Sequence, residues 1–250
     1  MNLEQLRILV TGGTSGVGRE LVSQLVGHGC RVVTCGRDTE RLKQLRMEYP
    51  QVLVIEGDLA QSGVPSAIVR QAVDHLGGLD VVINNAGIQF LEDHVSGESE
   101  IITQSTRTQI EVNLVAPIEF ANASLPHLAN SESPRLVFVT SGLAVFPKKS
   151  APVYCATKSA LRSFAMSLRY QLVDRESSVK VIDAVLPLVD TPMTAGRGKE
   201  SEKMSPVDVA ARIISALKSP RDVVWIGKSR LLPWLSRFAP SVGQRALRNG

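Results

Sequence analysis

Arg7-Ile-Leu-Val-Thr11-Gly-Gly-Thr-Ser-Gly-Val-Gly18 is the stretch on which the reading of the fold turns. Its short apolar, β-branched run ends in glycines, and a helical pattern through Leu21, Leu25 and Val26 follows at once. A strand that stops in glycine and passes directly into a helix lets the backbone come close to a pyrophosphate. The free N–H groups of the first helical turn then point at the anion. A glycine-rich turn needed only for tight packing would read the same over these twelve residues, so the rest of the chain must decide.

Outward from that loop, strand and helix signals alternate. Strands are expected at Arg31–Cys35, Val52–Ile55, Leu79–Ile83, Arg135–Val139, Val179–Leu186 and Val223–Ile226. Helices are expected at 39–48, 65–76, 152–174 and 206–218, the last opened by Ser205 as N-cap with Pro206 at N1 and Asp208 at N3. A longer helix runs over Ser105–Leu128 and is expected to bend at Pro117. Seven apolar strands separated by helices imply a parallel sheet covered on both faces, and right-handed crossovers make it doubly wound. The expected fold class is α/β, a Rossmann-type seven-stranded parallel sheet in a single domain over residues 1–227, followed by a basic amphipathic tail, 228–250.

Composition agrees. Hydrophobic residues are 44% and charged residues 21% of 250, enough apolar content for a packed core. Cys30, Cys35 and Cys155 have no metal-ligand spacing, and the four histidines are scattered, so no metal site is expected. Sparse, odd cysteines read as reduced thiols, which points to a cytoplasmic protein. No apolar run approaches the ~18 residues of a membrane span, and Met1–Arg7 has no signal-peptide character. Lys228, Arg230, Arg237, Arg245 and Arg248 lie in the tail without an acid. The remaining 23 bases face 24 acids, a net charge of −1, which excludes a nucleic-acid binder by charge.

With Thr11 and the spacing Gly12, Gly16, Gly18, the loop resembles the TGxxxGxG pattern of the short-chain dehydrogenase/reductase family. The resemblance extends over about residues 6–227. Asp58-Leu59 after the third strand is similar to that family's adenine-contacting pair, and Asn84-Asn-Ala-Gly87 to its NNAG motif. The resemblance implies a nicotinamide cofactor held by Gly12, Thr14, Ser15, Gly16, Val17 and Gly18. It adds Asp58, Leu59, Asn85, Ala86 and Gly87 to that set. At the end of the second strand, Gly36 stands where NAD binders carry a carboxylate, and Arg37 follows. A planar guanidinium suits a 2′-phosphate, so NADP(H) is favoured over NAD(H). The alternative for Arg37 is a solvated loop residue paired with Asp38.

Tyr154 and Lys158 are four apart and share a helix face. With Ser141 thirteen residues before Tyr154, they resemble the family's Ser-Tyr-Lys triad, and Asn113 matches its fourth catalytic residue. Hydride transfer to a carbonyl carbon leaves charge on oxygen that must be protonated. Tyr154 is the expected donor in reduction and base in oxidation, Ser141 the expected hydrogen-bond donor to that oxygen, and Lys158 with the oxidised nicotinamide, both cationic, the groups expected to favour tyrosinate. By family inference, Lys158 also holds the nicotinamide ribose and Asn113 a relay water. Pro187-Leu-Val-Asp-Thr191 carries Leu188 where the family has glycine, which puts the local backbone in doubt. Val189 is expected to supply a backbone contact and Thr191 to touch the nicotinamide carboxamide.

Leu143, Ala144, Val145, Phe146 and Val153 imply a carbonyl or alcohol substrate with an apolar body. The segment Pro192–Met204 reads either as a lid hinged at Gly196 and Gly198 or as a solvated loop. Val139–Ala144 and Val189–Met193 are similar to the branch that includes the lipoteichoic-acid D-alanylation operon oxidoreductases. The expected activity is NADPH-dependent reduction of a ketone or aldehyde. Its rivals are an NAD-dependent secondary-alcohol dehydrogenase and a silent NADP sensor or scaffold, although the latter commonly loses the tyrosine or lysine. A homodimer or homotetramer built on helices 105–128 and 152–174 is expected. In the tail, Leu231, Leu232, Trp234, Leu235 and Phe238 form one stripe over two short helices opened by Pro233 and Pro240. That stripe either packs on the chain's own cleft or a partner subunit, or makes a weak peripheral membrane contact.

Overall fold

The computed structural model describes residues 2–249. Strands β1 (Arg7–Thr11), β2 (Arg31–Gly36), β3 (Leu53–Glu56), β4 (Val81–Asn84), β5 (Arg135–Ser141), β6 (Lys180–Leu186) and β7 (Val223–Trp225) form one sheet. Their order is β3-β2-β1-β4-β5-β6-β7, with every pairing parallel. The chain is an α/β protein with the doubly wound topology expected. Its order reverses between β1 and β4, so the loops after those two strands diverge and leave a crevice at their carboxyl ends.

Alternate side chains of each strand go to opposite faces, which explains why these strands are apolar throughout. Ile8, Val10 and Val32 point to the face covered by α1 (Gly16–Gly27), α2 (Thr39–Glu48) and α7 (Pro206–Leu217). Leu9, Val33 and Val82 point to the face covered by α3 (Val64–Leu76), α5 (Ala116–Leu128) and α6 (Pro152–Asp174). Ser205 caps α7 by accepting from the Asp208 N–H at 3.1 Å. At the amino end of the sheet, far along the strands from the crevice, Arg7 and Asp80 form a 2.8 Å ion pair.

The helix expected over 105–128 differs from expectation. It begins earlier, as α4 (Ser99–Ile110), and is interrupted by a π-helical turn at Glu111–Val115 before α5. Pro117 lies in the first turn of α5, where a missing N–H costs little, so the irregularity sits just before the proline rather than on it. Asn113 lies inside that turn and is fully buried. The tail adds α8 (Leu232–Phe238) and α9 (Pro240–Leu247), with Pro233 and Pro240 in their first turns.

Candidate active site

Three glycines build the floor of the crevice, each for a separate steric reason. Gly12 has φ +71°, and a Cβ there would lie 2.9 Å from Ala86 Cα. Gly16 has φ +51° and faces Thr191, whose Cγ2 would be 3.1 Å from an added Cβ. At Gly18 a Cβ would fall 2.1 Å from the Gly12 carbonyl and 2.5 Å from Asn85 Nδ2. The Thr11 hydroxyl accepts from the N–H groups of Asn85 and Ala86, both at 3.0 Å, and Asn85 Nδ2 donates to the Thr11 carbonyl at 2.9 Å. These bonds stitch the β1 loop to the β4 loop. Asn85 therefore acts chiefly as a brace between the loops rather than as a free side chain against a ligand.

Beyond β2 the crevice continues past Gly36, Arg37, Asp38 and Arg41, then Asp58 and Leu59. Arg37 is exposed, and among the described residues it makes no ion pair. Asp38 is occupied elsewhere. It caps α2 through the Arg41 N–H at 3.1 Å and pairs with the Arg41 guanidinium at 3.3 Å. The local alternative for Arg37, a pair with Asp38, is not what the fold makes. Arg41 is a second cation on this wall that sequence reading missed; helical spacing from the Asp38 cap could have flagged it.

On the opposite wall, Ser141 ends β5, and Tyr154 and Lys158 rise one turn apart on α6. All three line one cleft of about 680 Å³ with the glycine loop. Lys158 Nζ is buried, donates to the Val139 carbonyl at 3.0 Å, and lies 5.8 Å from the Tyr154 ring centre. Burial brings the Lys158 ammonium down to about 8, with the Asp183 carboxylate opposing. Burial pushes the Tyr154 phenol up to about 12, and a hydrogen bond from Ser141 pulls it the other way. Within the chain itself, then, desolvation dominates and keeps the phenol protonated.

Asn113 is also more committed than expected. Its Oδ1 accepts from the Ile88 N–H at 2.8 Å, and its Nδ2 donates to the Ile88 carbonyl at 2.8 Å and to Thr157 Oγ1 at 3.3 Å. Both amide protons are taken, so the side chain clamps the loop after β4 to α6. Behind Lys158, the Thr140 hydroxyl donates to Asp183, a buried carboxylate facing Arg162 Nε at 3.6 Å. Arg162 in turn stacks 4.4 Å over Trp225. This polar cluster had no legible signal in the sequence.

After β6, Leu188 takes no left-handed torsion; the only non-glycine residues at positive φ among those described are Gln5 and Glu176. Its carbonyl instead accepts from the Met204 N–H at 2.9 Å, and Val189 bridges Met204 in parallel. The departure from glycine is thus absorbed without strain. The Val189 carbonyl accepts from the Thr194 hydroxyl, and Thr191 heads the short turn Pro192–Thr194. Gly196 and Gly198 both adopt positive φ, and Arg197 between them donates to Gln89.

A family model described as short chain dehydrogenase matches residues 7–202. The chain belongs to the short-chain dehydrogenase family. It is 38% identical over 191 residues to the uncharacterized oxidoreductase DltE of Bacillus subtilis, covering 76% of this chain and 74% of that protein. It is 30% identical over 218 residues to an oxidoreductase of Staphylococcus aureus, covering 86% and 92%. A Burkholderia cenocepacia short chain dehydrogenase in complex with NADP superposes with TM-score 0.84 at 23% identity, covering 99% of both chains. A Brucella melitensis 3-ketoacyl-(acyl-carrier-protein) reductase complexed with NADH superposes at 0.77 and 22%, covering 87% and 92%. At that identity the likeness speaks for the fold alone.

In this short-chain dehydrogenase the tail closes the cleft beside Ser141 and Tyr154. Leu232, Ala246 and Leu247 line it with Ser141 and Tyr154. Leu232 sits on Gly142, where a Cβ would fall 2.6 Å from its Cδ1, and at Gly243 a Cβ would fall 2.3 Å from Phe146 Cζ, so the two pack closely. The Lys149 N–H donates to the Arg248 carbonyl at 3.0 Å, tying the end of the tail to the loop before α6. The expected single stripe is therefore split. Leu232 is buried, whereas Leu231, Trp234, Phe238 and Val242 face outward.

Proposed function

We propose that this dehydrogenase is an NADPH-dependent carbonyl reductase acting on a ketone or aldehyde with an apolar body. The observation that carries the reading is one cleft with two chemically distinct ends. The Ser141, Tyr154 and Lys158 wall lies at one end, and a glycine cradle leading to Arg37, without an ion pair among the described residues, lies at the other. Gly12, Gly16 and Gly18 fit a dinucleotide cradle, because a Cβ at any of them would collide with Ala86, Thr191 or the Gly12 carbonyl and force the loop out of the close turn that brings backbone to a pyrophosphate. Thr14, Ser15, Val17, Asp58, Leu59, Ala86, Gly87, Val189 and Thr191 complete the assigned cradle. When bound, the nicotinamide supplies the hydride.

The chain's own residues handle the oxygen. Ser141 donates a hydrogen bond to the carbonyl, and Tyr154 gives its hydroxyl proton as negative charge develops. A phenol held up at about 12 is fully protonated at neutral pH, which suits it to donating in the reductive direction. Lys158 holds the ribose side and limits the cost of the phenolate once it forms. Asn113 positions the Ile88 loop against α6. Arg37, with Arg41 alongside, receives the 2′-phosphate that distinguishes NADP(H) from NAD(H).

Met166, Tyr170 and Val173 recur along one exposed face of α6, and Ile101 and Ile110 are exposed on the adjacent α4. This apolar row supports a homodimer or homotetramer built on those helices. The cysteines are free and buried, and no helix among the described residues is long and apolar enough to cross a membrane. Both are in keeping with a cytoplasmic enzyme. The deciding experiment titrates NADPH and NADH into the protein, then screens aldehydes and ketones for NADPH oxidation. Micromolar NADPH binding with turnover of an apolar ketone is expected. Tight binding without turnover across a broad panel would leave a cofactor sensor instead.

A further inference from the structure

Lys148 lies in the β5–α6 loop, six residues before Tyr154, and is about 5% exposed. It lines the same cleft as Ser141, Leu143 and Tyr154. No carboxylate among the described residues is within ion-pairing distance of it. The other covered lysines behave differently. Lys158 has the Val139 carbonyl and the field of Asp183, and Lys203 ion-pairs with Asp190 and Glu200. Lys228, also on the cleft, is exposed and is stabilised by water without a partner.

A second cation approaches the same place. Arg197, on the glycine-rich loop after β6, does not line the cleft itself but stands at its rim, bonded to Gln89, which does. Its guanidinium is held only by the neutral amide oxygen of Gln89. Burial first, then repulsion from Arg197, pushes the Lys148 ammonium below the ordinary lysine range. An unpaired, largely desolvated cation beside a like charge is costly, and the cleft supplies no compensating acid near it. Asp38 and Asp58 stand on the loops after β2 and β3, at the Arg37 end, and Glu202 is exposed. A bound anion would relieve both costs at once. One lysine and one partly committed arginine suit a monoanion better than a phosphate dianion, for which more donors are usual.

We propose that Lys148, assisted by Arg197, receives a carboxylate on the substrate, so that the natural substrate is an oxo acid with an apolar chain. This rests on the carbonyl-reductase reading only for the word substrate; the anion site itself stands or falls separately. Tyr154 and Ser141 would meet the carbonyl, while Leu143 and Leu232 would cover the chain between the two ends.

The test uses the full chain loaded with NADP⁺ and two isosteric probes, octanoate and octanamide, followed by thermal shift and by titration of intrinsic fluorescence. Octanoate is expected to bind roughly 10- to 100-fold more tightly than octanamide, the size of a lost hydrogen-bonded charge contact. Lys148→Met should erase that preference, Lys148→Arg should keep most of it, and Arg197→Gln should reduce it. Equal binding of the two probes to the wild type, or an octanoate preference surviving in Lys148→Met, overturns the proposal. If Lys148→Met does not fold, the wild-type comparison and the Lys148→Arg variant decide alone. Reduction of a neutral ketone without octanoate preference would remove the anion site and leave the reductase. Octanoate preference without reduction of any carbonyl would do the reverse.

Discussion

The two ends of the cleft are built on different principles. At the end proposed for the cofactor, the lining is largely backbone. Gly12 and Gly18 let segments pack so closely that a single methyl would collide with Ala86 or the Gly12 carbonyl, and the Thr11 and Asn85 side chains lock two loops together through main-chain groups. At the substrate end, the walls are side chains from three distant segments: the β5–α6 loop, the loop after β6, and the tail. Backbone recognition tolerates almost no substitution and leaves a spacing of glycines. Side-chain recognition can be met by many residues and leaves no pattern. The difference teaches why a chain can announce its cofactor class and stay silent about its substrate.

The strongest way to break this contrast is at the junction of the two ends. Tyr154→Phe removes the proton donor while leaving the cradle intact, so reduction should fall by at least 10²-fold with NADPH affinity nearly unchanged. Steady-state NADPH oxidation and fluorescence titration check both halves; retention of more than a tenth of wild-type turnover would refute the assignment. Next in size is deletion of residues 229–250. Because Leu232 and Leu247 wall the cleft and Arg248 ties down the α6 loop, activity should drop more than tenfold while NADPH still binds. An active, equally oligomeric truncated enzyme would make the tail a mere appendage.

Arg37→Ala sharpens the cofactor end. Loss of a charge-assisted phosphate contact should weaken NADPH by ~1.5–3 kcal/mol and leave NADH unchanged. Equal losses would mean that Arg37 packs on adenine. The smallest catalytic effect is expected from the amino end of the sheet, opposite the crevice. Arg7 holds Asp80 down to about 2, so this pair stabilises the fold above Asp80's ordinary value of 3.8 and is lost as pH falls through about 2. Asp80→Asn should cost about 1–2 kcal/mol at pH 7 after allowance for solvent screening, with little change in turnover. Urea melts of both proteins at pH 7 and pH 2 should differ at the first and converge toward the second. Finally, the outward residues Leu231, Trp234, Phe238 and Val242, with five bases beside them, are expected to give weak adsorption to anionic vesicles at low salt. Unchanged Trp fluorescence on adding vesicles would remove that contact and leave a partner subunit as the cover for this face.

The sequence by itself determined the sheet, its parallel sense and the glycine cradle, because those depend on local rules. Strand apolarity, helix caps such as Ser205 and torsions open only to glycine are written residue by residue. One helix turn placed Tyr154 and Lys158 on a shared face, whereas Ser141 was joined to them in the sequence only by family resemblance and in space by the fold. Tertiary structure alone decided the rest. It turned the helix around Asn113 into a π-turn and spent that amide on Ile88 and Thr157. It let Leu188 replace a glycine by pairing its carbonyl with Met204. It divided the tail's stripe into an inner and an outer face, and it brought Lys148 into the same cleft as Tyr154. Desolvation, charge repulsion and shared cavities arise only between segments far apart in the chain, and no local pattern in a sequence encodes them.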